Sequence, residues 1–232
     1  MSDSFEGIPS VKTTHPVRGR MDLSRVCDRD PVALSGTDSC TEGDDRLTGE
    51  EREAAVLAPV VTRDGADYVL FTKRAEHLTD HPGQMSFPGG GREPADEGLL
   101  ATALREANEE VGLRPGEVEV VGQLDDIRTI TDYLVRPFVA RVDDREYRPA
   151  DSEVAKVAVL PVSGLTDLDN YESERRDHPH YGEIRLHFFH VDGYTVWGAT
   201  ANMLVQLLEL TTGWELPPEP DRTVDADADL PG

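Results

Sequence analysis

GGGREPADEGLLATALREANEEVGL, residues 89–113, runs three consecutive glycines into a segment of helical periodicity that closes on REANEEVG. The spacing predicts a helix over about 97–111, with Asp96 as its N-cap and Gly112 as the glycine that ends it. At about 100° per residue, Leu100, Ala103, Leu104, Ala107 and Val111 share one face, which can pack on a sheet. Glu106, Glu109 and Glu110 form a separate stripe about 100° wide, with Arg105 beside Glu109. Like charges three and four residues apart destabilise a bare helix by a few tenths of a kcal/mol. Acidic residues near a helix C-terminus also oppose its dipole. The stripe is therefore either a solvated face or a seat for a divalent cation. Hard ions take carboxylate oxygens and keep waters free for a phosphate substrate.

Composition sets the background for that choice. The chain has 232 residues, 46 of them acidic and 23 basic, for a formal net charge of -23. Only Lys12, Lys73 and Lys156 are lysines; the other basic residues are arginines. So acidic a surface argues against a nucleic-acid partner or an anionic membrane, both of which need a basic patch. The balance resembles that of proteins from salt-loving archaea, and the expectation is a halophilic protein. At 38% hydrophobic residues the chain still has enough for one sizeable core. Cys27 and Cys40 make no metal-binding spacing, and a disulfide between them is not expected in an intracellular protein. No apolar run approaches membrane-spanning length and no signal-peptide core stands at the start, so the expected location is the cytoplasm.

Residues 1–50 are rich in Ser, Thr, Asp, Gly and Pro and are expected to be partly disordered, above all the first 20 or so. Met21 is an alternative translation start, followed by a short helix. Residues 217–232 form a Pro- and Asp-rich acidic tail expected to be disordered. Between them, 51–216 reads as one α/β domain. The runs 54–62 and 67–74 form a hairpin around RDGA. Further strands are expected at 118–127, 134–142, 155–162 and 184–191, with a closing helix at 199–213. A mixed β-sheet with helices on its faces is the architecture that fits.

From Gly91 the chain reads Gly, five residues, Glu97, seven residues, Arg105-Glu106-Ala107-Asn108-Glu109-Glu110-Val111-Gly112-Leu113. This resembles the Nudix box, G-x5-E-x7-R-E-U-x-E-E-x-G-U, at every fixed position, with small Ala107 at the first aliphatic position. The resemblance implies a Nudix α/β/α sandwich and Mg2+- or Mn2+-dependent hydrolysis of a nucleoside diphosphate linked to another moiety. It implies Glu106 and Glu110 as metal ligands, and Glu109 as a third ligand or the residue that orients or deprotonates water. It implies Glu97 and Arg105 as a pair that fixes the loop–helix geometry. Gly89 and Gly90 would let backbone approach metal and phosphate.

LFTKRAEHLTDHPGQMSFPGG, residues 70–90, resembles a second signature, L-L-T-x-R-S/A-x3-R-x3-G-x3-F-P-G-G, which marks the coenzyme A diphosphatase branch. Leu70, Thr72, Arg74, Ala75, Gly83, Phe87, Pro88, Gly89 and Gly90 match it. Arg74, Gly83, Gln84, Phe87, Gly89 and Gly90 are thereby implied as substrate-binding. Phe71 replaces a leucine, and Thr79 replaces an arginine that could hold phosphate with a fork of donors. The second departure leaves open another dinucleotide substrate, such as NADH or ADP-ribose. A non-catalytic nucleotide sensor is the alternative of another class, and the intact glutamates count against it. Phe87 and Trp197 are either core aromatics or stacking partners for adenine. Glu153 is a loop glutamate able to complete the metal shell. The implied partner is a small CoA-like nucleotide; a homodimer stands open beside a monomer.

Overall fold

The computed structural model describes residues 19–27, 52–79, 81–129, 132–178 and 182–225. In chain order the elements are α1 (Ser24–Cys27), β1 (Arg52–Arg63), β2 (Ala66–Arg74), β3 (Met85–Ser86), β4 (Gly89–Gly91), α2 (Leu99–Val111), β5 (Val118–Gln123), β6 (Ile127–Arg128), β7 (Tyr133–Val142), β8 (Val154–Pro161), α3 (Val162–Leu165), β9 (Tyr171–His178), β10 (Gly182–Val191), β11 (Tyr194–Trp197), α4 (Gly198–Thr211) and β12 (Arg222–Val224).

The β1–β2 hairpin turns at Asp64 and Gly65, both in the left-handed region at φ 50 and 79. That is the two-residue turn whose twist matches the flanking strands, and it is why RDGA punctuates the sequence. The large sheet runs β3-β2-β1-β7-β5, with β4 on β1, β6 on β7 and β8 on β2. Its β1–β7 pair is parallel and its other pairs are antiparallel, so the sheet is mixed.

Strand β1 is apolar on both faces because both are covered. Ala55, Leu57 and Val61 face one core with Ala103, Ala107 and Val111 of α2. Ala54, Ala58 and Val60 face a second core with α4, α1 and residues of β10 and β11. Helices on opposite faces of a mixed sheet make this an α/β/α sandwich. A smaller sheet, β11-β10-β9-β12, lies on the α4 side.

Helix α2 is held more narrowly than its wheel suggests. Leu100 is 37% exposed, while Ala103, Ala107 and Val111 are buried. The helix begins at Leu99 with Gly98 as N-cap, not at Asp96, whose carboxylate is engaged elsewhere. Gly112 ends it at φ 67, where the Gly112 and Leu113 amides donate back to the Asn108 and Ala107 carbonyls.

Two stretches with no visible apolar pattern are ordered by charge. Strand β9, YESERRDH, buries Glu174 and Arg176, with Arg176 Nη2 donating to Glu174 Oε1 at 2.6 Å. Arg222 donates to the same glutamate at 3.1 Å, so β12 pairs with β9 inside a stretch whose composition predicts disorder. Residues 226–232 of that tail lie outside the described residues. At the other end, Asp67 ties Gly19–Met21 to β2. Its carboxylate accepts the Met21 amide at 2.8 Å and its own amide donates to the Gly19 carbonyl at 2.7 Å. Met21, Leu23 and Val26 are buried in the core. Residues 1–18 and 28–51, with Cys40 among them, lie outside the described residues, and the disorder expected of them falls there. Among the described residues no helix is long and apolar enough to cross a membrane.

Candidate active site

The three glycines of 89–91 are β4, a strand too poor in side chains to show any pattern, laid antiparallel on β1 at Ala54–Val56. Helix α2 rests against them. A Cβ on Gly90 would stand 2.5 Å from Glu106 Oε1, and one on Gly89 would stand 2.4 Å from the Ala55 carbonyl oxygen. The glycines are therefore the floor on which the glutamate stripe sits. The Gly89 amide donates to the Glu110 carboxylate.

Arg105 spans the stripe and the loop. Its Nη1 donates to Glu106 Oε1 at 2.9 Å and to Glu109 Oε2 at 3.1 Å. Its Nε and Nη2 fork onto Asp96 at 3.0 and 3.1 Å, and Nη2 also donates to the Gly91 carbonyl at 3.1 Å. Asp96 further accepts the Glu93 amide and the Thr102 hydroxyl, both at 2.9 Å. These donors, Arg105 first, hold the Asp96 carboxyl well below the usual carboxylate range.

The pairing of Arg105 with Glu97 is therefore corrected: Asp96 takes that part, and Glu97 points to solvent with no bond to Arg105 among the described residues. The physical reason is reach and burial. Asp96 is tucked under the first turn of α2, where Thr102 and the Glu93 amide fix it. Spacing alone does not reveal which of two adjacent acids turns inward. Asp96→Asn is accordingly expected to lower turnover about ten- to a hundredfold, as loss of a supporting partner does. Glu97→Gln is expected to change it little. Parallel kinetics on the two variants check this, and equal losses would contradict it.

Glu110 is the most confined acid of the stripe, 9% exposed, with Oε2 buried and without a partner among the described residues. Burial first, and then the neighbouring Glu106, push its carboxyl up to about 8; the Gly89 amide and Arg74 oppose this, and Glu153 adds to it. Burial likewise raises Glu106, against the pull of Arg105. A buried carboxylate with an orphaned oxygen beside a second carboxylate is a hard-cation donor set in search of positive charge. Glu109 is half exposed at the outer rim. Among the described residues no group of three or more His, Cys, Asp or Glu side chains is placed to hold a metal ion by itself. A magnesium-like ion needs none, because it binds through one or two carboxylates plus waters and substrate phosphates. The residues present fit such an ion.

Strand β2 supplies the rest of the site. Arg74 closes it at a register shift against β8 and acts on Glu110, as does Glu153 at the start of β8. The Arg74 amide donates to the Gln84 carbonyl at 2.9 Å, and the Gln84 amide group lies against Gly198 at the start of α4. Gly83, at φ 71, lies under the Glu76 carboxylate. Thr79 is exposed. Phe87 is corrected: it is 1% exposed and stacks on Phe71 with centroids 5.0 Å apart, so its ring belongs to the core. Its place in the motif serves packing beneath β4. The structure thus brings Glu106, Glu109, Glu110, Arg105, Arg74, Gly89 and Gly90 together. It adds Asp96, which sequence reasoning took for a helix cap.

The NUDIX domain profile matches residues 51–181. The chain is 40% identical over 160 residues to a protein of Enterobacter sp. (strain 638) named uncharacterized Nudix hydrolase NudL, covering 67% of this chain and 81% of that one. A protein of Salmonella newport (strain SL254) with the same name is 39% identical over 164 residues, covering 69% and 83%. Among solved structures, the NUDIX domain of Shewanella oneidensis NrtR complexed with ADP ribose aligns over 53% of this chain and 80% of that one, at 19% identity and a TM-score of 0.42.

Proposed function

This chain belongs to the Nudix family and is a Nudix hydrolase of nucleoside diphosphate derivatives, and from that premise we propose that its substrate is coenzyme A or an acyl-CoA, cleaved at the diphosphate. The products are 3′,5′-ADP and 4′-phosphopantetheine or its acylated form. What supports the reading is the match of Leu70, Thr72, Arg74 and Ala75 and of HPGQMSFPGG, residues 81–90, interrupted at Thr79 and leading into the glutamate stripe, where the charge of Arg74 favours the ionised form of Glu110.

In this reading Glu106 and Glu110 would hold a Mg2+ or Mn2+ ion, with Glu109 as a third ligand or as the residue that handles the water. When bound, the cation neutralises diphosphate oxygens and makes the attacking water more acidic. The protein does the rest by position. Arg105, anchored on Asp96, keeps Glu106 and Glu109 in register with β4. The open backbone of Gly89 and Gly90 admits the diphosphate. Arg74 offers it a forked donor, and Gly83 and Gln84 shape the loop beside it. Glu109 orients the water or takes its proton.

Thr79 supports one other reading. An exposed threonine where the branch signature has arginine removes a phosphate contact, which favours a different dinucleotide such as NADH or ADP-ribose. A panel of CoA, acetyl-CoA, NADH, ADP-ribose and deoxynucleoside triphosphates, each with Mg2+ and Mn2+, separates the two. The expected order puts CoA or acetyl-CoA first by kcat/KM. A preference for ADP-ribose or NADH over CoA would refute the CoA assignment.

A further inference from the structure

Only three lysines occur in this chain, and two of them, Lys73 on β2 and Lys156 on β8, stand directly opposite each other in the antiparallel register. Like charges in directly opposed positions destabilise a sheet. Their row continues to Met85 on β3, which is buried, so it faces the α4 side. Lys156 Nζ sits 5.1 Å from the centroid of the Tyr194 ring on β11. Lys73 Nζ meets Glu76 Oε1 at 3.1 Å, a pair whose side chains are 36% and 72% exposed. An exposed pair of that kind contributes little, so it does not account for the placement.

The position of the row relative to the cation stripe gives it a use. Arg74 directly follows Lys73 and acts on Glu110, while consecutive strand residues point to opposite faces. The sheet stops there: β2 ends at Arg74, β8 starts at Val154, and the Arg74 amide is bonded to Gln84. Lys73 and Lys156 therefore flank, on the other face, the end of the sheet at which Arg74 stands. In a chain of net charge -23 this is a local concentration of positive charge around the corner from the reaction centre.

We propose that Lys73 and Lys156 form a second anion subsite that holds a phosphomonoester carried on the nucleoside half of the substrate. This rests on the coenzyme A reading, in which that group is the phosphate on the ribose. Two ammonium groups suit a phosphate dianion as paired point charges, and the Tyr194 ring fixes one of them in place.

The test reads binding rather than turnover. Calorimetric titration of the full chain with 3′,5′-ADP and with 5′-ADP, at one fixed moderate ionic strength, gives the ratio of their dissociation constants. The wild type is expected to favour 3′,5′-ADP by about tenfold or more, the size of one charge-assisted contact. The Lys73→Gln/Lys156→Gln variant is expected to bring the ratio close to one, and the Lys73→Arg/Lys156→Arg variant to keep it. A wild type without preference, or a glutamine variant that retains it, overturns the subsite. Failure of the wild type to hydrolyse CoA would instead remove the substrate assignment, a result scored on turnover and separate from the binding ratio.

Discussion

Glu106→Gln is expected to cut kcat by on the order of a hundred- to a thousandfold, the several kcal/mol of charge stabilisation that a correctly held cation supplies. The amide keeps the shape of the carboxylate above Gly90, and its oxygen still accepts from Arg105 Nη1. What disappears is one negative charge from a stripe where burial and like charge already strain Glu106 and Glu110. The thermal midpoint should therefore stay level or rise while turnover collapses. Kinetics and a melting curve on one preparation check both halves. Turnover within tenfold of wild type would remove Glu106 from the cation site.

Gly90→Ala should be nearly as damaging to activity and much milder to the fold. Its new Cβ would meet Glu106 Oε1 at 2.5 Å and Cδ at 2.7 Å. The obstructed group is the far end of a flexible side chain, so the glutamate swings away and the core is spared. A displacement of about 1 Å in a positioned group is enough for a hundredfold loss of rate. Gly89→Ala makes the contrast. There the Cβ meets the Ala55 carbonyl oxygen at 2.4 Å and Val56 Cα at 2.6 Å, which are main-chain atoms of β1. Overpacking against backbone costs about 1–3 kcal/mol or more, so this variant should lose stability as well. Melting midpoints of the two alanine variants, beside their kcat values, distinguish obstruction of the site from obstruction of the sheet.

The elements with strong local grammar were legible in the sequence. Asp64-Gly65 marks a hairpin turn because a two-residue loop needs left-handed conformations there. Ala103, Ala107 and Val111 mark the buried face of α2, and Gly112 marks its end. The resemblance of Gly91, Glu97, Arg105 and the three glutamates to the Nudix box implied the reaction class. Features that depend on which of several polar groups is satisfied, and by what, were hidden. Asp96 and Glu97 are neighbours of like chemistry, and only the fold turns the shorter one inward onto Arg105 and Thr102. Strands β9 and β12 carry charge where periodicity looks for apolar residues, because Glu174, Arg176 and Arg222 neutralise one another. Phe87 sits in a motif beside functional residues, yet its ring packs on Phe71, which is a property of the layer beneath β4. A motif match carries position, and burial decides what the position is for.

We propose that the stripe on α2 exists to hold a divalent cation. Titration of chelator-treated protein with Mn2+, followed by calorimetry, tests it without any assumption about substrate. Wild-type protein is expected to bind Mn2+ at the stripe, and the Glu106→Gln/Glu110→Gln variant, folded as judged by its melting curve, to lose that binding. Equal Mn2+ binding by the two proteins would contradict the claim and return the stripe to an ordinary acidic surface.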